Sequence, residues 1–256
     1  MSFEGVASVG TGCSVSAIAL LVLYVPASQS DAVGTLDTVI MVHGAGGGGW
    51  EYRLWAPIFH KAGWNVVARD LVPGRGGLAK TRVEDYIRQI VAWTPKRHGR
   101  LVLVGASMGG PLVLAAARRL KPDAIVLVNP VPEIGMPGRK SSPPIVRWAN
   151  GPFADTVAAM PESDKAMQVF AWKHWRDESG AVLNRLAQGL RPARPRCRVL
   201  MIVSGKDTDV APSLSRATAR RLRAGIKTLP QASHVGPLLG RDAPTVASSV
   251  VKWLRP

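Results

Sequence analysis

The stretch LVLVGASMGGPLVLAAARRL, Leu101 to Leu120, decides the reading of the chain. Leu101 to Val104 is a short aliphatic and β-branched run, the pattern of a strand buried on both faces. Gly105-Ala106-Ser107-Met108-Gly109 then turns the chain. Pro111 fits the first turn of a helix, where its missing N–H costs nothing. The helix stops before Pro122, because a residue preceding proline is pushed out of the helical region.

The glycines at this turn have a chemical reason. A nucleophilic serine has to stand at the tip of a tight, strained turn, with small neighbours where strand and helix approach each other. The N–H of Met108 then points at the same spot from a helix N-terminus, where donors are unpaired. In a chain with 26 glycines the G-x-S-x-G spacing alone is weak evidence. Its position between a buried strand and a helix gives it weight.

Outward from this turn, Thr38 to Val42 reads as a second buried strand, running into His43-Gly-Ala-Gly-Gly-Gly-Gly-Trp50. Such a loop lets backbone N–H groups approach a ligand. A phosphate loop would need a Gly-Lys-Ser/Thr ending or a G-x-G-x-x-G context, and neither is present. An oxyanion loop after the His-Gly pair agrees with the serine turn, with Ala45 as donor and Gly44 beside the pocket. His43 reads as scaffold of that loop. Glu51 to Ala62 is expected to be helical, with Leu54, Trp55, Ile58 and Phe59 on one face. Trp64 to Ala68 is a third strand, and Asp70, which stands before the serine, reads as a loop-fixing carboxylate. A helix is expected over 81–93, with Thr81 and Glu84 as a capping box. Ala124 to Val128 is a further strand.

The alternation of strand and helix implies a mostly parallel sheet wound on both faces. It breaks at residue 131. From 131 to 190 no strand is evident, and apolar and aromatic residues such as Phe153, Phe170, Trp172 and Trp175 suggest helices. A stretch of this length exceeds an ordinary connection, so it reads as a small helical cap over the pocket mouth. Trp172 and Trp175 are candidate pocket residues. The core then comprises residues 37–130 and 191–256. The sheet resumes at Arg198 to Val203, a helix is expected over 212–224, a short strand over 226–229, and a last helix over 243–254.

In open parallel sheets, ligands bind beyond the carboxyl ends of the strands. Ser107, Asp207 and His234 all follow strand ends, in that chain order. The expected roles are nucleophile for Ser107, general base for His234, and orienting acid for Asp207, with Asp209 as the alternative acid. The N–H groups of Ala45 and Met108 would hold the oxyanion.

On VHGAGGGGW, GASMGG, SGKDTDVAP and ASHVGPL the chain resembles the α/β-hydrolase superfamily, from about residue 37 to the end. It looks most similar to small esterase-like and hydroxynitrile-lyase-like members. The resemblance implies an eight-stranded, mostly parallel sheet, no cofactor, and a small-molecule ester substrate. Acid loops of that family usually place Asp three residues after the Gly, whereas here Asp207 and Asp209 stand two and four after it. A same-fold lyase or cofactor-free haloperoxidase is the alternative. A cyanohydrin-type lyase would need an added base, with Lys173 and Lys206 as candidates. A non-catalytic binding protein, or a basic adaptor for anionic polymers, is a further class.

Composition bounds the partners. Net charge is +16, with 33 Lys and Arg against 17 Asp and Glu. The basic residues begin at Arg53, are densest over 185–227, and form no nucleic-acid motif, so they read as a solvated surface and no specific nucleic-acid partner is expected. Cys13 and Cys197 make no disulfide framework, and no metal-ligand spacing occurs. Ala17 to Val25 is too short to span a membrane. Residues 1–36 read as an extension. AIALLVLYV resembles the apolar region of a signal peptide, with Val25-Pro26-Ala27 offering a cleavage site, although Glu4 and the lack of Lys or Arg before it fit that poorly. An edge strand or a misplaced start are the other readings. Oligomeric state is open.

Overall fold

A computed structural model describes residues 35–136 and 138–255. The apolar run at 17–25 and Cys13 lie outside the described residues. The central sheet is built from β1 (Thr38–Val42), β2 (Asn65–Ala68), β3 (Leu101–Ala106), β4 (Ala124–Val128), β7 (Arg198–Ser204) and β8 (Gly225–Leu229). Its order is β2-β1-β3-β4-β7-β8, and every neighbouring pair is parallel. The resemblance implied eight strands; the sheet has six among the described residues.

Period-two alternation sorts the side chains of the inner strands β1, β3 and β4, which are buried along their whole length, between two cores. Ile40, Val42, Leu101 and Leu103 face one core, where they meet α2 (Val83–Ala92), α3 (Gly109–Leu120), α6 (Gly180–Gln188) and α7 (Pro212–Leu222). Val39, Met41, Val102 and Val104 face the other, against α1 (Ala56–Lys61), α8 (Gly236–Leu239) and α9 (Ala243–Leu254). A strand covered on both faces has no polar side to show, hence TVIMV and AIVLV.

Three expectations are corrected. Residues 51–62 are not one helix: Gly49–Tyr52 is a 3-10 turn and α1 begins at Ala56, with Pro57 in its first turn, the place in a helix that tolerates a missing N–H. The cap of α2 sits one residue later than expected. Asp85 Oδ2 accepts the Arg82 N–H at 2.8 Å, while Thr81 Oγ1 fastens the preceding loop, accepting from Gly74 N–H at 3.0 Å and donating to Gly77 O at 2.9 Å. The segment between β4 and β7 does contain strand: β5 (Ile145–Val146) pairs antiparallel with β6 (Glu178–Ser179). Two residues each are too few for an alternation to register in sequence. Between them lie α4 (Phe153–Ala159) and α5 (Lys165–His174).

The strand order reverses between β1 and β3. The chain leaves β1 toward β2 on one side and returns to β3 on the other, so the loops after β1 and β3 diverge and open a crevice at the carboxyl edge. The crossing of β3 and α3 leaves no space for side chains. A Cβ on Gly105 would fall 2.5 Å from Gly109 O, and one on Gly109 would fall 2.3 Å from Val42 O. Beyond β4, Asn129 is buried with φ at 44°, a left-handed conformation that Asn tolerates better than most residues. Its Nδ2 donates to Ser204 Oγ at 2.8 Å and His234 O at 2.7 Å, and its Oδ1 accepts the Ser204 N–H at 2.8 Å. One amide thus ties the end of β7 to the loop carrying His234.

Two stability predictions follow from these contacts. Gly109→Ala should lower unfolding free energy in urea by about 1–3 kcal/mol through backbone overlap, whereas Gly225→Ala, whose Cβ meets nothing nearer than 3.9 Å, should leave it unchanged or slightly raised. Asn129→Ala should cost about 1–3 kcal/mol in the same measurement, because it strands buried polar partners.

Candidate active site

Ser107 occupies the first turn position after β3 with φ at 48°. Three backbone bonds hold it there: its N–H donates to Val128 O at 2.9 Å, and its carbonyl accepts from Gly110 N–H at 3.1 Å and Val131 N–H at 3.0 Å. Ser107 and His234 line one cavity of about 390 Å³. Among the described residues, the hydroxyl makes no hydrogen bond to the imidazole. Such bonds are often loose until substrate binds.

His234 Nδ1 lies 2.8 Å from Asp207 Oδ2, and the Asp207 carboxylate is buried behind the ring. The other Asp207 oxygen accepts the N–H groups of Asp209 and Val210, both at 2.9 Å. Asp209 is exposed and touches the cavity rim. Burial alone would pull the His234 pKa down. The hydrogen bond and charge of Asp207, with Asp209 and Glu51 adding to them, outweigh it, and the net shift is upward.

The glycine loop after β1 presents a row of N–H groups, most of them occupied. Gly44 donates to Glu51 Oε2 at 3.0 Å, Gly46 to Glu178 Oε2 at 3.3 Å, and Gly47 to Gly44 O at 3.3 Å. The N–H groups of Ala45 and Met108 meet no acceptor among the described residues, and both residues line the cavity. His43 is buried. Its Nε2 accepts the Leu71 N–H at 2.9 Å, its Nδ1 lies 2.7 Å from Gly44 O, and burial brings its pKa down to about 4. It is a neutral strut. Asp70 Oδ1 accepts the Gly49 N–H at 2.8 Å, so this carboxylate does fix a loop, the glycine one.

Gly44, Trp172 and Trp175 line the cavity as well, with Met136, Leu183 and Leu186 supplying much of the remaining apolar wall. The indole N–H groups are satisfied elsewhere, Trp172 on Gly151 O at 2.7 Å and Trp175 on Thr156 Oγ1 at 3.1 Å. Lys173 and Lys206 are absent from the lining. No group of three or more residues suited to a metal occurs among the described residues, and no described helix is long and apolar enough to cross a membrane.

Sequence reasoning missed four groups that hold the loops of this site. Arg176, Glu178 and Glu162 come from the segment between β4 and β7. Arg176 donates to Gly47 O through Nε at 2.8 Å and through Nη2, Glu178 also accepts the Tyr86 hydroxyl at 2.7 Å, and Glu162 Oε1 accepts the Ser233 N–H at 2.6 Å. Nothing in local spacing reveals such bonds. Glu51 is the fourth, and it left a signal: an acid inside an otherwise glycine and aromatic run.

Residues 39–248 match the alpha/beta hydrolase family. A pyrethroid hydrolase of Sphingobium wenxiniae is 32% identical over 95 residues, a stretch covering 36% of this chain and 34% of that protein. Two solved structures share the fold at lower identity. A methylesterase from Arabidopsis is 17% identical with a TM-score of 0.65, over 86% of this chain and 97% of the other. Tomato methylketone synthase I, complexed with 2-tridecanone, is 14% identical with a TM-score of 0.66, over 85% and 97%. With its parallel sheet, its serine turn after the third strand and a match over most of its length, the chain belongs to the alpha/beta hydrolase family.

Proposed function

We propose that the protein is a serine hydrolase that cleaves a carboxylic ester of small to medium size through an acyl-enzyme. The observation that carries this reading is the convergence on one cavity of Ser107, of His234 backed by Asp207, and of the two unoccupied N–H groups of Ala45 and Met108. In this mechanism Ser107 Oγ attacks the ester carbonyl carbon as His234 Nε2 takes its proton. Asp207 fixes the Nδ1–H tautomer and stabilises the imidazolium. The carbonyl oxygen becomes negative and is held by the Ala45 and Met108 N–H groups, donors that need no reorganisation at that moment. The intermediate collapses, the leaving alcohol takes the proton from His234, and water repeats the sequence to free the acid.

The cavity favours an apolar substrate, since aliphatic and indole groups dominate its wall. The segment over 131–190 acts as the cap, contributing Trp172, Trp175, Leu183 and Leu186 to that wall. A same-fold lyase reading loses support with its two lysine candidates outside the cavity. The reaction needs a neutral imidazole. Because the His234 pKa is raised, activity should fall as pH drops from a point above the ordinary histidine value near 6.5.

The test is turnover of a series of p-nitrophenyl acyl esters together with labelling by a fluorophosphonate. Ser107→Ala should abolish labelling, and His234→Ala should lower kcat by about a thousandfold or more. Asp207→Asn should lower kcat about a thousand- to ten-thousandfold, the scale expected when an imidazole loses its orienting acid, while Asp209→Asn stays within a few-fold of the unaltered protein. Labelling that persists in Ser107→Ala rejects the nucleophile. Full activity in Asp207→Asn rejects the acid.

A further inference from the structure

Glu51 has no part in the mechanism above, yet it is buried and lines the same cavity as Ser107 and His234. A carboxyl in such a place is costly unless it is hydrogen-bonded or paired. The glycine loop defines how it is held. Its Oε2 accepts the Gly44 N–H at 3.0 Å. The Cβ that Gly47 lacks would fall 1.6 Å from its Oε1, so the carboxyl fills the hollow of the glycine loop. The Cβ that Gly44 lacks would stand 3.3 Å from Ser107 Cβ and 3.7 Å from each Glu51 oxygen, so one methyl-sized gap separates carboxyl from serine.

The groups that act on Glu51 come from several elements. They are the Gly44 N–H of the glycine loop, His234 of the histidine loop, Arg176 of the β4–β7 segment, and Asp70 after β2. Tyr52, buried on the same turn, also feels its charge. We propose that Glu51 is a positioning residue of this site, a second carboxyl that holds the glycine loop through Gly44 and acts as a charge partner of His234 from within the cavity, where Asp207 does not reach. Its catalytic meaning rests on the hydrolase reading; the pairing with His234 does not.

The direction of the effect follows from charge. Burial pushes the Glu51 pKa up to about 7, against the pull of Gly44, His234 and Arg176, so this carboxyl changes charge in the range where the imidazole does. An ionised Glu51 stabilises the imidazolium and raises the His234 pKa. Removing that charge lowers it, so the neutral, base-competent imidazole persists to lower pH. Glu51→Gln keeps an oxygen for the Gly44 N–H and removes only the charge.

The experiment is a titration of histidine ring signals by NMR on full-length wild type and Glu51→Gln. The His234 signal is identified by its loss in His234→Gln. The pH profile of kcat/KM for a p-nitrophenyl ester is measured on the same proteins. The His234 midpoint should fall by about half a pH unit or more in Glu51→Gln, the size expected for a charge several ångströms away in a partly screened site, and the rising kinetic limb should move the same way. Coupling is reciprocal, so a second readout does not depend on that variant folding. In His234→Gln, the carboxyl carbon of Glu51, read by 13C-glutamate labelling, should titrate at higher pH than in wild type. Midpoints unchanged in both comparisons overturn the proposal. If wild type neither turns over esters nor takes the fluorophosphonate, the hydrolase reading falls while the two titrations still decide the pairing.

Discussion

The site depends on a backbone constraint: a non-glycine residue held in the left-handed region at the end of the central strand. Ser107 adopts φ of 48° because its neighbours leave no alternative. Its N–H and carbonyl are committed to Val128, Gly110 and Val131, and α3 passes so close to β1 and β3 that Gly105 and Gly109 can carry no side chain. A strain of this kind persists only where the surroundings over-determine it. Here they are β1, β3 and β4, each buried along its whole length, and the first turn of α3. The same geometry leaves the Met108 N–H unoccupied at a helix start, so the turn that exposes the serine also creates a donor beside it.

Environment, rather than residue type, separates the two histidines near this turn. His43 is fully enclosed, spends both ring nitrogens on backbone groups, and has its pKa brought down to about 4 by burial. It serves as a neutral spacer between the end of β1 and the loop after β2. His234 is nearly as enclosed, but Asp207 lies against Nδ1 and the net shift reverses. Desolvation dominates where no charge compensates, and a buried carboxylate at hydrogen-bond distance overcomes it.

What the sequence made legible was whatever a local pattern can carry. The strands at 38–42 and 124–128 are plain because double burial demands an unbroken apolar run. The order of Ser107, Asp207 and His234 is readable because each follows a strand end. The choice between Asp207 and Asp209 is harder, since the two acids stand two residues apart and only the loop's path decides which oxygen meets the ring. In the structure Asp209 is exposed and turns its backbone N–H toward the Asp207 carboxylate. Helix starts slipped where a single residue outvoted a periodic pattern, as Pro57 does in the first turn of α1. Asn129, Glu162 and Glu178 were silent because their partners lie 71 to 132 positions away in the chain.

Those long-range bonds change the physical picture of the segment between β4 and β7. Beyond the apolar side chains it lends to the cavity wall, this segment donates and accepts at both loops of the site. Glu178 and Arg176 take the free N–H and carbonyl groups of Gly46 and Gly47, and the Arg176 N–H donates to Gly46 O at 2.7 Å. Glu162 takes the Ser233 N–H beside His234, and Ser163 donates to Leu239 O at 2.9 Å. A glycine loop has many accessible conformations and little side-chain packing to choose among them. Its shape is therefore set from outside, by an arginine and three carboxylates, those of Glu51, Asp70 and Glu178. Because Glu178 stands between Arg176, which grips the same loop, and Ser179, whose hydroxyl donates to Thr81 O at 2.8 Å, the segment cannot lift away from the sheet without releasing the N–H groups of the glycine loop. The bonds that fasten this segment to the glycine loop are thus the same bonds that order that loop.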